Sequence, residues 1–454
     1  MQFAGDYKLD NVIVHSASGS IDIKDLLLEL NVYESIHSSN LYGNITMMDS
    51  ANHVQNMPII GQEDIEFTVQ TDEDTGTLDF TTFRGRIYKV NNMVRTEERQ
   101  QVYTMHFCSK ETMTNQRARV KSAYEGSGDE IVSKIFRDVL KTNKFFNVEP
   151  SDLKVKVVGN NMKPFDFINM VRDRCRSTIF DGSGYLFFEN NAGFHFRSYE
   201  SLSNNASGPL EPVERFFVQP QSRDVTLEKD MQSVIEYRIT KNQDVLAASV
   251  SGLLASTHFV YDLHTKSYVK IENDYNNMFE NGEHTDEFPL FTNMPEEEGE
   301  AKSMFDFREQ RIDVSTRDTA LHTQSATDER NYNNHSNQKQ LRNMIKLSHD
   351  QLVAKVTVPG NSNLAAGDVI ELHVPSYEPI NPGDTRVHDA FLSGRWIITN
   401  LVHEINSTRY TCTFDCVKDG VSAEYETSDS TIASETNYEE PRGGEVIVGD
   451  EDLV

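Results

Sequence analysis

The chain has 454 residues, 37% of them apolar, and a formal net charge of −28 from 71 acidic against 43 basic side chains. That length carries about three or four domains, and so acidic a surface repels nucleic acid instead of holding it; composition alone favours general solubility as the use of that charge, and a conduit for DNA, which should not be sticky, has use for it too. No run of about 18 apolar residues occurs, so no membrane-spanning helix is expected, and Met1-Gln2-Phe3-Ala4-Gly5-Asp6 lacks a basic-then-apolar leader, so a cytosol-like setting is expected.

Residues 1–112 are expected to form a first antiparallel β-barrel. Ile21–Leu30 begins it, Val32–Ile36 follows, and Ser38-Ser39-Asn40 turns the chain into a strand over Leu41–Asp49. Thr71–Thr77 is a polar hairpin tip between the third and fourth strands. Residues 113–205 change character to a small α/β module. Ser127-Gly128-Asp129-Glu130 has the capping-box pattern, with Ile131, Val132, Ile135, Phe136, Val139 and Leu140 behind it at helical spacing. A second helix starts at Pro164 and carries Phe165, Ile168, Met170 and Val171. Gly184–Glu189 and Gly193–Arg197 flank Asn190-Asn191-Ala192 as a hairpin.

A second barrel is expected over 206–245 and 352–425, opened by strands at Val225–Asp230 and Val234–Ile239. An insertion at 246–351 separates its parts. The insertion is polar and loop-like in the middle, including Glu296–Glu300, and ends in a helix over Asn337–Leu347. Leu352–Val358, Val369–Val374, Leu392–Thr399, Leu401–Ile405 and Tyr410–Val417 are β-branched and aromatic runs separated by Gly, Pro, Asn and Asp, the pattern of an antiparallel meander. In the last run Tyr410, Cys412, Phe414 and Cys416 share one face, packed, while Thr411, Thr413 and Asp415 share the wet one. Residues 426–454 read as a flexible acidic tail, in which Val446-Ile447-Val448 offers a short docking strand.

The two β regions share a grammar. Ile59–Val69 parallels Ala365–Val374 with a residue or two of slippage, Phe83–Tyr88 parallels Leu392–Ile397, and Tyr103–Lys110 parallels Tyr410–Lys418. Three matches in one order at similar spacing point to a duplicated domain. The fold class expected is therefore mainly β with α/β insertions: two duplicated barrels and a small α/β module. Gly61, Gly85, Gly367 and Gly394 are the expected barrel turns and bends, and Trp396 packs beside Gly394, where the missing side chain lets the sheet bend.

Nothing in the sequence asks for catalysis. Phosphate-cradling and dinucleotide-binding glycine patterns are missing, as is a nucleophile elbow. His403-Glu404 lacks the second histidine of a zinc protease, and His373 and His403 fall in strands. Asp/Glu pairs are too abundant to mark a glycosidase site. Cys108, Cys175, Cys412 and Cys416 form no metal or disulfide pattern and read as small buried hydrophobes. No catalytic residue, cofactor or metal is expected.

Val356–Asn361, Leu364–Ile370, Gly394–Ile398 and Val402–Ile405, followed by Tyr410 and Lys418-Asp419, resemble the second-barrel signature of baseplate hub proteins of contractile, T4-type phage tails. Ser39–Gly43 and Asp49–Asn52 resemble the first barrel of that family, and Pro164–Ile168 through Gly193–Phe196 resemble its middle module, shared with late-control D proteins and type VI secretion spikes. The resemblance covers about residues 20–420. It implies a homotrimer in which two tail-tube-like barrels per chain make a pseudo-sixfold ring. That ring adapts a threefold central spike, of oligonucleotide/oligosaccharide-type fold, to the sixfold tail tube or tube initiator. It also implies contact with wedge proteins, passage of the tape measure and DNA through the bore without specific binding, assembly in the host cytoplasm and a place in the virion's tail baseplate. The chain departs from the secretion spikes in ending on an acidic tail without a fused spike domain, so a separate spike is expected. The alternative is a tail-associated hydrolase or carbohydrate-binding protein with the β modules as binding domains; hydrolysis of cell wall by the pure protein would favour it.

Overall fold

The computed structural model describes residues 3–56, 59–71, 77–82, 84–152, 154–180, 182–218, 226–292, 304–317, 338–377 and 388–424. The chain forms two compact units, Met1–Ala423 and Glu424–Val454. The tail over 426–454, with Val446–Val448, lies outside the described residues, as do the tip over 72–76, Glu296–Glu300 and Val225.

The first unit is mainly β. It opens on a hairpin, β1 (Lys8–Ser16) with β2 (Gly19–Asp22). The sequence reading started the sheet at Ile21 and missed β1, because a register shift between Leu9 and Val12 breaks the two-residue period of its inward side chains. β3 (Leu27–Ser35), β4 (Tyr42–Asp49), β5 (Asp64–Gln70), β6 (Thr77–Asp79), β7 (Gly85–Glu97) and β8 (Gln100–Ser109) follow.

The α/β module contains β9 (Ala123–Ser127), β10 (Phe146–Val148), β11 (Lys154–Val158), β12 (Tyr185–Asn190) and β13 (Gly193–Ser198). Helix Pro164–Arg172 starts on its proline and buries Phe165, Phe167, Ile168 and Val171. With Ile131, Ile135, Phe136, Phe187 and Phe194 they form one apolar core. The capping box at Ser127 does not form. Ser127 makes no side-chain cap to helix Gly128–Lys134, and Asp129 Oδ1 instead accepts from Ser151 N at 3.1 Å and Ser151 Oγ at 3.0 Å. Beyond Lys134 the helix widens to a π turn over Ile135–Leu140.

Two short strands, β14 (Asn204–Asn205) and β15 (Gly208–Pro209), lead to β16 (Glu214–Phe217). The strand expected at Val225–Asp230 is instead a short helix, Leu227–Met231, whose residues are not buried; Glu228, Lys229 and Asp230 give it no apolar alternation to hold in a sheet. β17 (Glu236–Lys241) comes next. The insertion is more ordered than its polar sequence suggests. β18 (Ala255–Asp262) lies between antiparallel β19 (Ser267–Asp274) and a parallel strand across the gap, reached after β20 (Phe288–Pro289): β21 (Ile312–Arg317). Helix Lys339–Ser348 returns the chain to β22 (Leu352–Pro359), β23 (Val369–His373), β24 (Gly394–Asn406), β25 (Tyr410–Lys418) and β26 (Gly420–Val421), the last paired with β20.

One 14-stranded sheet runs through the unit in the order β17-β22-β25-β24-β3-β4-β8-β7-β5-β1-β2, with β23 beside β24, β16 beside β23 and β6 beside β5. No sheet closes into a barrel among the described residues. Within the large sheet one neighbour order occurs twice: β3-β4-β8-β7-β5-β1 and β17-β22-β25-β24-β23-β16. Details repeat as well. Thr46 and Thr104 Oγ1 meet at 3.1 Å between β4 and β8, and Thr357 and Thr413 Oγ1 at 3.2 Å between β22 and β25. Ile87 N donates to Glu63 O at 2.8 Å, as Ile398 N donates to Asp368 O at 2.9 Å, and the ladder slips just after each isoleucine. One difference is polarity: β1 runs antiparallel to β5, whereas β16 runs parallel to β23.

These registers revise part of the sequence match. Aligned on their ladder partners, Gly85 corresponds to Trp396 rather than Gly394, and Tyr103 to Cys412 rather than Tyr410. The shift is two residues in each case, which leaves every side chain on its own face, so alternation alone could not detect it. The halves join where Asn400–Asn406 of β24 pairs antiparallel with Glu29–Ser35 of β3.

Candidate functional site

Buried charge is the first place to look for chemistry, because it is costly unless matched. Asp419, fully buried after β25, accepts from Thr285 N at 2.9 Å and Thr285 Oγ1 at 2.8 Å through Oδ1. His284 Nδ1 lies 2.6 Å and His349 Nε2 3.5 Å from its Oδ2. Burial would raise this carboxyl, but the two histidines and the Thr285 bonds outweigh burial and hold it well below the usual range. Beside it Lys418 Nζ donates to Ser393 O at 2.8 Å, pairs with Asp286 at 2.8 Å and lies 5.5 Å from the centroid of Trp396. Arg395 completes the group, donating from Nη1 to Thr285 O at 3.0 Å and from Nη2 to Ser203 O and Leu210 O. Together these residues staple the segment 284–286 of the insertion to β24 and β25.

The groups have little freedom to react. His284 uses its other nitrogen on Phe279 O at 3.0 Å, and Ser348 Oγ donates to Ile345 O at 2.8 Å. A cavity of about 200 Å³ borders the cluster, and Glu200 lines it with its acid pushed up to about 7 by burial. Among the described residues no three His, Cys, Asp or Glu side chains are placed to hold a metal ion, and no helix is long and apolar enough to cross a membrane. Cys108, Cys175, Cys412 and Cys416 are buried and free.

A second set of carboxylates ties the α/β module to the sheet. Glu34 of β3 accepts from Asn191 N at 2.8 Å in the β12–β13 turn and from Ala366 N at 2.9 Å before β23. Burial pushes its acid up to about 8 against the pull of those two N–H groups. Glu189 accepts from Leu41 N at 3.1 Å and pairs with Lys144 at 2.6 Å, and Lys144 also meets Glu111 at 2.9 Å. Neither set was legible in the sequence, because each joins residues far apart in the chain.

The five structural residues singled out from the sequence are spread over the sheet. Gly61 and Gly367 both have φ +94°, and a Cβ on Gly367 would lie 2.9 Å from Phe188 Cζ. Gly85 faces Phe107 and Ile65, and Gly394 has φ +120° and sits against Asp286 and Lys418. Trp396 is fully buried, with Nε1 donating to Leu392 O at 3.1 Å. His403 is buried, its Nδ1 2.7 Å from Tyr410 Oη, and His373 is partly exposed beside Glu371.

What the molecule leaves open are sheet edges. Among the described residues β17 pairs only with β22, and beyond Ile87 β7 pairs only with β8. Met93 and Val94 are 53% and 58% exposed. Such rows of backbone N–H and C=O groups can take a further strand.

Solved structures place this architecture. The tail protein from Neisseria meningitidis MC58 aligns at 8% identity and TM-score 0.51, covering 91% of this chain and 97% of that one. The 43 kDa tail protein of prophage MuSo2 from Shewanella oneidensis, also at 8% identity, gives TM-score 0.50 over 91% of this chain and 100% of that one. A type VI secretion system component from E. coli gives TM-score 0.40 at 11% identity, over 91% of this chain and 76% of that one, too low a score to argue from. No family model matches the sequence, and no curated protein matches it. The chain has the fold of phage tail proteins.

Proposed function

We propose that the chain is a structural tail component, the baseplate hub of a contractile phage tail, without catalytic activity or cofactor. The observation that carries this reading is the strand order that occurs twice along one chain. Each half is one copy of a tail-tube-like β domain, residues 1–112 and residues 206–245 with 352–425. The α/β module over 113–205 and the insertion over 246–351 are carried on them, and 426–454 is a tail. Two copies per chain and three chains give six similar units, the count needed to seat a threefold spike under a sixfold tube. The ring contacts the spike below, the tube or its initiator above and the wedges outside. Its acidic bore passes the tape measure and DNA without gripping them, since like charge repels phosphate. Gly61, Gly85, Gly367, Gly394 and Trp396 shape the turns and bends of the two halves and their packing.

End-on electron-microscope class averages of the purified chain, alone and mixed with its candidate spike, test this. Six similar densities around a hole with true threefold symmetry are expected. Scattered single chains under both conditions would overturn the reading.

A further inference from the structure

The junction between the two halves is a template for a contact the single chain cannot make. β24 and β7 are both 13 residues long. The start of each pairs inside its own half, with β23 and β5 respectively. The remainder of β24 runs on to pair with β3 of the other half, and Leu401, His403 and Ile405 there are fully buried. The remainder of β7 has no strand on that side among the described residues, and its residues 93–97 are exposed. The counterpart of β3 is β17, and it too has no strand on one side among the described residues.

We propose that the open edge of β7 pairs with the open edge of β17 on a second copy of this chain, reproducing between chains the β24–β3 junction within one. This rests on the hub reading and supplies its seam. The register transfers from the ladders. Glu404 lies opposite Asn31 at the junction. Val94 pairs with Val102 as Glu404 pairs with Thr411, and Arg238 pairs with Lys355 as Asn31 pairs with Asn44. Val94 therefore faces Arg238 of the next copy, and by the same transfer Arg95 faces Tyr237. The contact is head-to-tail, one edge of each kind per chain, and generates a ring when its rotation closes. A free edge blunted by charge is the competing explanation.

Directly opposed strand residues sit about 4.5–5.5 Å apart at Cα, within disulfide reach. The test is cysteine capture in the full chain with V94C and R238C, both at exposed positions. Under mild oxidation the double variant should give dimers and trimers on a non-reducing gel. A mixture of the two single variants should stop at dimers, and each single variant alone should give none. Absence of cross-link in the double variant and the mixture overturns the seam, as does cross-linking of one single variant alone, which marks a twofold contact. Imaging separates this from the hub reading. Threefold rings without the cross-link leave the hub standing and the seam wrong; cross-linked open chains that never close leave the seam standing and the hub wrong.

Discussion

Glu34→Gln tests whether a single buried acid holds three parts of the chain together. Its two oxygens take Asn191 N–H at 2.8 Å and Ala366 N–H at 2.9 Å, from the α/β module and from the turn before β23. Glutamine keeps the shape but can accept through one oxygen only, and its amide nitrogen meets the other N–H as donor against donor. An unsatisfied buried donor costs about 1–3 kcal/mol. The pH dependence is more telling. The folded acid titrates at about 8, against a usual value of 4.5. A raised folded pKa gives stability that is fully present below pH 4.5 and is lost as the pH rises through 8. That loss is about 5 kcal/mol at 1.36 kcal/mol per unit, and glutamine does not share it. Urea unfolding of both proteins between pH 4 and pH 8.5 should show the variant weaker at the acid end, with the gap shrinking and then reversing as the pH rises. A constant difference across the range would refute the buried, proton-holding carboxyl.

Three further outcomes follow from the geometry. Lys418→Met strands Asp286 and Ser393 O in a buried site, and removing one partner of such a pair should cost about 3–5 kcal/mol, read as a lower urea midpoint. Gly367→Ala puts a Cβ at φ +94° and 2.9 Å from Phe188; strain in that backbone region should cost about 1–3 kcal/mol by the same measurement, whereas alanine at Gly19, where no atom lies within 4 Å of the added Cβ, should cost less. The thiols of Cys108, Cys175 and Cys412 are pushed up by burial to about 11, about 12 and about 12, and that of Cys416 is raised too. With little thiolate and no access, all four should stay unreactive to a thiol reagent at pH 8 until denaturant is added.

Local pattern made part of the fold readable in advance. The helix at Pro164 and the hairpin around Asn190–Ala192 stand where proline at a helix start and Asn-rich turns place them. Val225–Asp230 misled because a short stretch of mixed charge has no preference that outlasts its context, and Ser127 misled because Ser151 Oγ, from another part of the chain, takes the free N–H of Asp129 at 3.3 Å in its place. The insertion's three-stranded sheet stayed hidden because the partner of β18, β21, arrives some fifty residues later and alternation in polar strands is faint.

The order of the β runs and their repetition belong to the sequence itself, since side-chain alternation and turn residues are local properties that any fold of this chain must respect. Tertiary structure alone decided the rest. Whether two repeats become closed barrels or one continuous open sheet depends on which edges meet, and the β24–β3 pairing joins residues some 370 positions apart through backbone groups that carry no sequence signature. The exact two-residue register of the repeat was settled by the ladders, because a shift of one full period moves no side chain to the other face. The Asp419 and Glu34 staples exist only once distant segments bury the same carboxylate, and burial is a property of the folded chain.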